Sequence, residues 1–119
     1  MSYPFEYGDE TLWDAGYHSG QLYCALARGA AEFFDVAPGL TPTPQGSCAV
    51  DGEVFQVFVQ RLYKQYASTN NEVLRGLVHP LLVTSLVLLD RTGGRIAVRP
   101  QDAAALDEAK AALARTMAS

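Results

Sequence analysis

Cysteine is scarce in this chain. Only Cys24 and Cys48 occur in 119 residues, too few for a disulfide framework, and they are not at the short spacing that holds zinc. A reducing, cytoplasmic location is the default expectation. Histidine is equally sparse, with His18 and His79 alone. Because His18 and Cys24 fall on different faces of one expected helix, no metal site is anticipated. A glycine-rich phosphate loop is missing too, since Gly93-Gly94 has neither the lysine nor the strand-to-helix setting. No cofactor is implied. The N-terminus lacks a basic region followed by an apolar run and a cleavage site, so secretion is not indicated.

Basic charge is almost absent from the first half. Residues 1–51 carry Glu6, Asp9, Glu10, Asp14, Glu32, Asp35 and Asp51 against Arg28 alone, a net of −6, whereas residues 52–119 carry a net of +2. Phosphate binding needs clustered lysine and arginine, so nucleic acid is excluded as the direct partner. A basic protein would be steered by such a surface, although ordinary solubilising charge explains the same composition. Charge of either sign is missing between Arg75 and Asp90. That uncharged run is shorter than the ~20 residues of a membrane-spanning helix. A buried core element, not a membrane anchor, is expected there.

What is present fits one domain over residues 1–119, with 49% hydrophobic residues and 18% charged ones, a globular balance. Tyr3, Phe5 and Tyr7 recur at a spacing of two, Gly8-Asp9 can turn the chain, and Thr11-Leu12-Trp13 can return it. An edge hairpin or extended arm lidding the core follows. Residues 19–36 predict a first helix with Leu22, Leu26, Ala30, Phe33 and Phe34 toward the core. Residues 38–47, PGLTPTPQGS, predict a loop. A second helix over 51–69 has Phe55, Phe58, Val59, Leu62 and Tyr66 on one face and Asp51 as its cap.

Residues 70–79 read as helical, and Pro80 then poses a choice. The leucine-rich run 81–89 predicts a buried helix kinked at Pro80. Val83, Thr84 and Val87, followed by a glycine turn and the alternation of Arg95–Arg99, would instead suit a hairpin. With the helix preferred, residues 95–99 become a short strand or extended link that could pair with the N-terminal arm. A last helix spans 102–118. The expected fold is thus mainly α, a bundle of three or four helices around Leu81–Leu89 with a small β element; the alternative is α+β with a hairpin at 81–99.

The start SYPFxxGxxTLW, the segment from Cys48 to Asp51 leading into FxxFVxxL (Phe55 to Leu62), and TSLVLLDRTGG together resemble an uncharacterised family of short actinomycete proteins. The resemblance covers residues 1–94, implies a cytoplasmic bacterial protein, and brings no activity with it.

No catalytic constellation stands out. Cys48 precedes a helix, where a thiol pKa can fall, but a buried inert cysteine is the plainer reading. The favoured function is a non-catalytic protein-binding module, of an inhibitory or immunity-like kind, using Glu6, Asp9, Glu10, Trp13 and Asp14 of the acidic aromatic half. The alternative is a small-molecule-binding protein or small enzyme of secondary metabolism, whose helical-core pocket would be lined by Tyr23, Phe58, Tyr63 and His79. Its sign would be an enclosed cavity of roughly 300 Å3 or more with polar groups converging on it. A homodimer is the third option, with surplus apolar surface as the interface.

Overall fold

The computed structural model describes residues 1–119 as four helices and a four-stranded sheet. In chain order the elements are β1 (Ser2–Tyr7), β2 (Glu10–Gly16), α1 (Tyr17–Phe34), β3 (Leu40–Pro42), β4 (Cys48–Val50), α2 (Gly52–Ser68), α3 (Glu72–Arg91) and α4 (Pro100–Ala114). The fold is therefore α+β, not a mainly helical bundle. The alternative class is the right one, but its hairpin at 81–99 is not: that run belongs to α3, and the sheet is built from the first half of the chain.

The expected N-terminal hairpin forms, turning at Gly8 with φ of 59°. Its register slips between Phe5 and Glu6, which pair with Trp13 and Thr11 respectively, so Leu12 is the extra residue of a bulge. The bulge lets Leu12 and Trp13 both point inward although they are neighbours in sequence. A second correction concerns the predicted loop at 38–47, which includes β3 and, with Cys48–Val50, makes another hairpin. Strands of three residues are too short to leave a periodic signal. Pro42 is tolerated because β3 is the outer strand of the order β2-β1-β4-β3. β4 pairs parallel with β1, placing Cys48 beside Phe5.

One face of this sheet carries Tyr3, Phe5, Trp13, Ala15, Leu40, Cys48 and Val50, all buried. Phe5 stacks on Trp13 with centroids 5.1 Å apart and meets Tyr23 of α1 edge-on at 5.6 Å. α2 follows the sequence reading closely. Asp51 Oδ1 accepts a hydrogen bond from the Val54 amide at 3.2 Å, and Phe55, Phe58, Val59 and Leu62 are fully buried, with Tyr63 taking the core place expected of Tyr66.

α3 is the core helix. It is long and apolar enough to cross a membrane by length and composition, yet Leu82, Val87, Leu88 and Leu89 are buried within this compact fold between α2 and α4. Asn71 caps it, accepting from the Leu74 amide at 3.0 Å. Pro80 sits inside it without ending it. Gly76, whose carbonyl would have bonded the missing amide, is exposed, so water can take that role.

Residues 95–99 are not a strand and do not pair with the N-terminal arm. Side chains of α2 serve them instead. Gln56 Oε1 accepts from the Arg95 amide at 3.2 Å, and Gln60 both accepts from the Ala97 amide at 2.9 Å and donates to the Ala97 carbonyl at 3.2 Å. Tyr63 Oη accepts from the Arg99 amide at 2.8 Å and donates to Asp102 Oδ2 at 2.6 Å. The spacing 56, 60, 63 puts all three on one helical face, which does the work of a neighbouring strand's edge.

Candidate functional site: the outer face of the first helix

The buried residues of α1 are Gly20, Tyr23, Cys24, Ala27 and Ala31. This reverses the expected orientation. Leu22, Leu26 and Phe33 point to solvent at 61%, 56% and 77% exposure; Ala30 and Phe34 lie half-buried at the margin. The reason is volume. The sheet face already supplies Tyr3, Phe5 and Trp13, so the helix approaches with small residues. At Gly20 a Cβ would come within 2.8 Å of the Tyr3 ring. The side of α1 that would have filled a core is therefore left outside.

Leu22, Leu26, Gly29 and Phe33 fall at i, i+4, i+7 and i+11, a single stripe opposite the buried one. Exposed Ala25 widens it, and a Cβ added at Gly29 would meet nothing within 4 Å, so another backbone can come close there. Phe33 packs edge-on against Phe34 at 5.1 Å, and Arg61 of α2 covers the Phe34 ring at 4.5 Å. Glu32 and Asp35 flank the C-terminal end of the stripe. A continuous apolar stripe on the water-facing side of a helix suits a helix-in-groove or helix-on-helix contact.

The residues singled out from the sequence divide. Asp9, Glu10 and Asp14 are exposed on the hairpin, and Glu6, half-buried, accepts from Thr11 Oγ1 at 3.0 Å. Trp13 is buried under this hairpin against Phe5, so it is not a surface contact. Glu6 and Asp14 lie on the side of the sheet away from α1 and Asp9 and Glu10 stand at the hairpin turn, so none of the four belongs to the stripe.

The four residues of the expected pocket do not share one. Tyr23 and Ser85 share a buried hydrogen bond of 2.7 Å, and burial pushes the Tyr23 hydroxyl pKa upward. Phe58 is packed in the core, Tyr63 holds the 95–99 link, and His79 lies half-buried beside the Tyr66 ring at 5.6 Å. A cleft of about 420 Å3 exists elsewhere, between α3, the link and α4. Leu86, Leu89, Ile96, Val98 and Leu106 form its floor, while Asp90, Arg95, Asp107 and Lys110 stand around it. Lys110 and Asp90 pair with each other at 3.6 Å.

No group of three or more His, Cys, Asp or Glu side chains comes together as a metal-binding cluster. Two soft ligands do meet. The Cys24 and Cys48 sulfurs are 3.8 Å apart, a juxtaposition with no sequence signal, because one sits on a helix and the other on a strand too short to recognise.

The whole chain, residues 1–119, matches the family of unknown function DUF6086. The chain belongs to that family. The match reaches beyond the resemblance over 1–94 and takes in the 95–99 link and α4, which the fold shows to be integral to the core through Leu106 and Met117. No curated protein and no solved structure matches the chain.

Proposed function

We propose that this DUF6086 protein is a non-catalytic binding module that docks an amphipathic helix of a basic protein partner along the outer face of α1. The observation that carries the reading is the solvent-facing stripe of Leu22, Leu26 and Phe33. Charge selects the occupant. The half of the chain that contains α1 carries −6 overall, and although four of its acids stand on the hairpin, Glu32 and Asp35 flank the stripe itself, so a second copy would set two acidic margins against each other. A partner helix with basic flanks is attracted by the same field. Binding of this sort works by occlusion, as an inhibitor or immunity-like protein does, and a cytoplasmic site of action belongs to the same reading.

The test uses two synthetic helical peptides with the same leucine stripe, one flanked by lysine and one by glutamate. Amide shift mapping should show saturable changes over residues 21–34 with the lysine peptide, weakening at higher salt, and little change with the glutamate peptide. Leu26→Glu should abolish the changes while leaving the melting temperature within a few degrees, because the side chain is already in water. Shifts located elsewhere, equal response to both peptides, or a stoichiometric dimer sealed by this face in sedimentation would overturn the proposal.

A further inference from the structure

We propose that Cys24 and Cys48 are a redox modification site, closing a reversible intramolecular disulfide between α1 and β4. The inference goes beyond the docking reading and does not depend on it. Both cysteines are buried, and both belong to regular elements, so their sulfurs are held in place 3.8 Å apart. A disulfide bond is about 2.0 Å long. Closing the gap requires the two sulfurs to approach by less than about 2 Å. No third cysteine exists to compete for either sulfur.

The surroundings divide the labour between the two thiols. The two thiols share one hydrogen bond in which either sulfur can be the donor; with Cys48 as donor the Cys24 pKa falls to about 7 against the upward push of burial, and the Tyr3 hydroxyl and Arg28, one turn further along α1, act in the same direction. Cys48 is correspondingly pushed up and keeps its proton. Cys24 is thus the attacking thiolate and Cys48 the resolving thiol. Tyr3, whose ring lies against Gly20, is the neighbour of Cys24 from the sheet side.

With hydrogen peroxide as oxidant the steps balance. The Cys24 thiolate attacks one peroxide oxygen and the O–O bond breaks; the departing hydroxide takes up a proton as water, leaving a sulfenic acid. Cys48 sulfur then attacks the Cys24 sulfur, the S–O bond breaks, and the Cys48 proton leaves with the hydroxyl as a second water. Two thiols lose two electrons and one peroxide gains them. A dithiol reductant reverses the bond by exchange.

The experiment treats the intact native protein with hydrogen peroxide, then denatures it in the presence of a maleimide and reads the intact mass. The expected product is lighter by two hydrogens, takes up no label, yields Cys24 and Cys48 peptides joined in a non-reducing digest, and regains both labelling sites after dithiothreitol. Closing a bridge between residues 24 apart in sequence should also raise the melting temperature by roughly 10 °C. In Cys48→Ser, which keeps a donor beside Cys24 but cannot form the bridge, Cys24 should stop at a sulfenic acid that dimedone traps once the chain is denatured in its presence. Two free thiols after treatment, over-oxidation to sulfinic or sulfonic acid without a bridge, or a bridge between chains would each overturn the proposal. The wild-type measurements decide it even where a cysteine variant fails to fold.

Discussion

Arg91 ends α3 with its guanidinium donating to three carbonyls: Leu12 at 2.7 Å, Met117 at 2.8 Å and Ala114 at 3.3 Å. Hydrogen bonds from a charged donor contribute about 1.5–3 kcal/mol each at most, and the three are not additive. Arg91→Ala is expected to lower unfolding stability by about 2–4 kcal/mol in urea titration, and Arg91→Lys to recover little, because one ammonium cannot span the three acceptors. Gly39 is constrained differently. Its φ is +70°, and a Cβ would stand 2.4 Å from the Phe55 amide nitrogen. Gly39→Ala should cost roughly 2 kcal/mol or more in the same titration, through strain at both counts. Cys24 makes a prediction in pH. Its folded pKa, about 7, lies below its ordinary 9.0, while its partner Cys48 is pushed the other way. The folded pair therefore gives up its first proton more readily, and its second less readily, than the unfolded chain. Stability from the pair rises as pH climbs from about 7 to the ordinary 9.0 and falls again above it, where the unfolded chain loses both protons. Denaturant midpoints of reduced wild type at each pH should pass through that maximum, which a variant with both cysteines replaced by alanine lacks.

At the scale of elements, the link 95–99 hangs on the Gln56, Gln60 and Tyr63 face of α2. Replacing Gln56 and Gln60 together by alanine should expose the Arg95 and Ala97 amides to fast hydrogen exchange and cost about 1–3 kcal/mol, while α2 itself stays protected. The same segment shows why some elements were legible in sequence and others not. α2 could be read almost residue by residue, since its Asp51 cap and its apolar period agree. The 95–99 alternation is a true extended segment, but its partner is a helix presenting amides, which no strand pattern announces. α1 was legible as a helix and misread as a face. Periodicity records which residues share a side, not which side the sheet will accept, and here the aromatic strands favour Gly20, Ala27 and Ala31 over Leu22 and Phe33. The candidate docking stripe was therefore visible in the sequence as residues and invisible as a surface. The two three-residue strands were hidden by their brevity and by Pro42, and with them the neighbour that brings Cys48 to Cys24.

For the molecule as a whole, Arg99 beside Asp102, reinforced by the Tyr63 hydroxyl, holds the Asp102 carboxyl below its ordinary 3.8. A depressed carboxylate stabilises the fold above its unfolded pKa and ceases to do so as pH falls through the folded value, so this anchor of α4 is released below the ordinary carboxylate range. Tyr63→Phe should therefore cost stability at neutral pH, where it removes the Asp102 and Arg99 amide contacts together, and part of the deficit against wild type should disappear as acid protonates Asp102, read from denaturant midpoints at each pH. The hairpin is joined to the far end of the chain as well: the Asp14 amide donates to the Ala118 carbonyl at 2.7 Å, and Arg91 ties Leu12 to Met117. During synthesis the first strands leave the ribosome long before these acceptors do. Until residue 118 has emerged, the outer strand lacks that acceptor and the nascent chain offers a sticky margin, so the segment just after α4 decides when the earliest structure becomes safe from its neighbours on a crowded polysome.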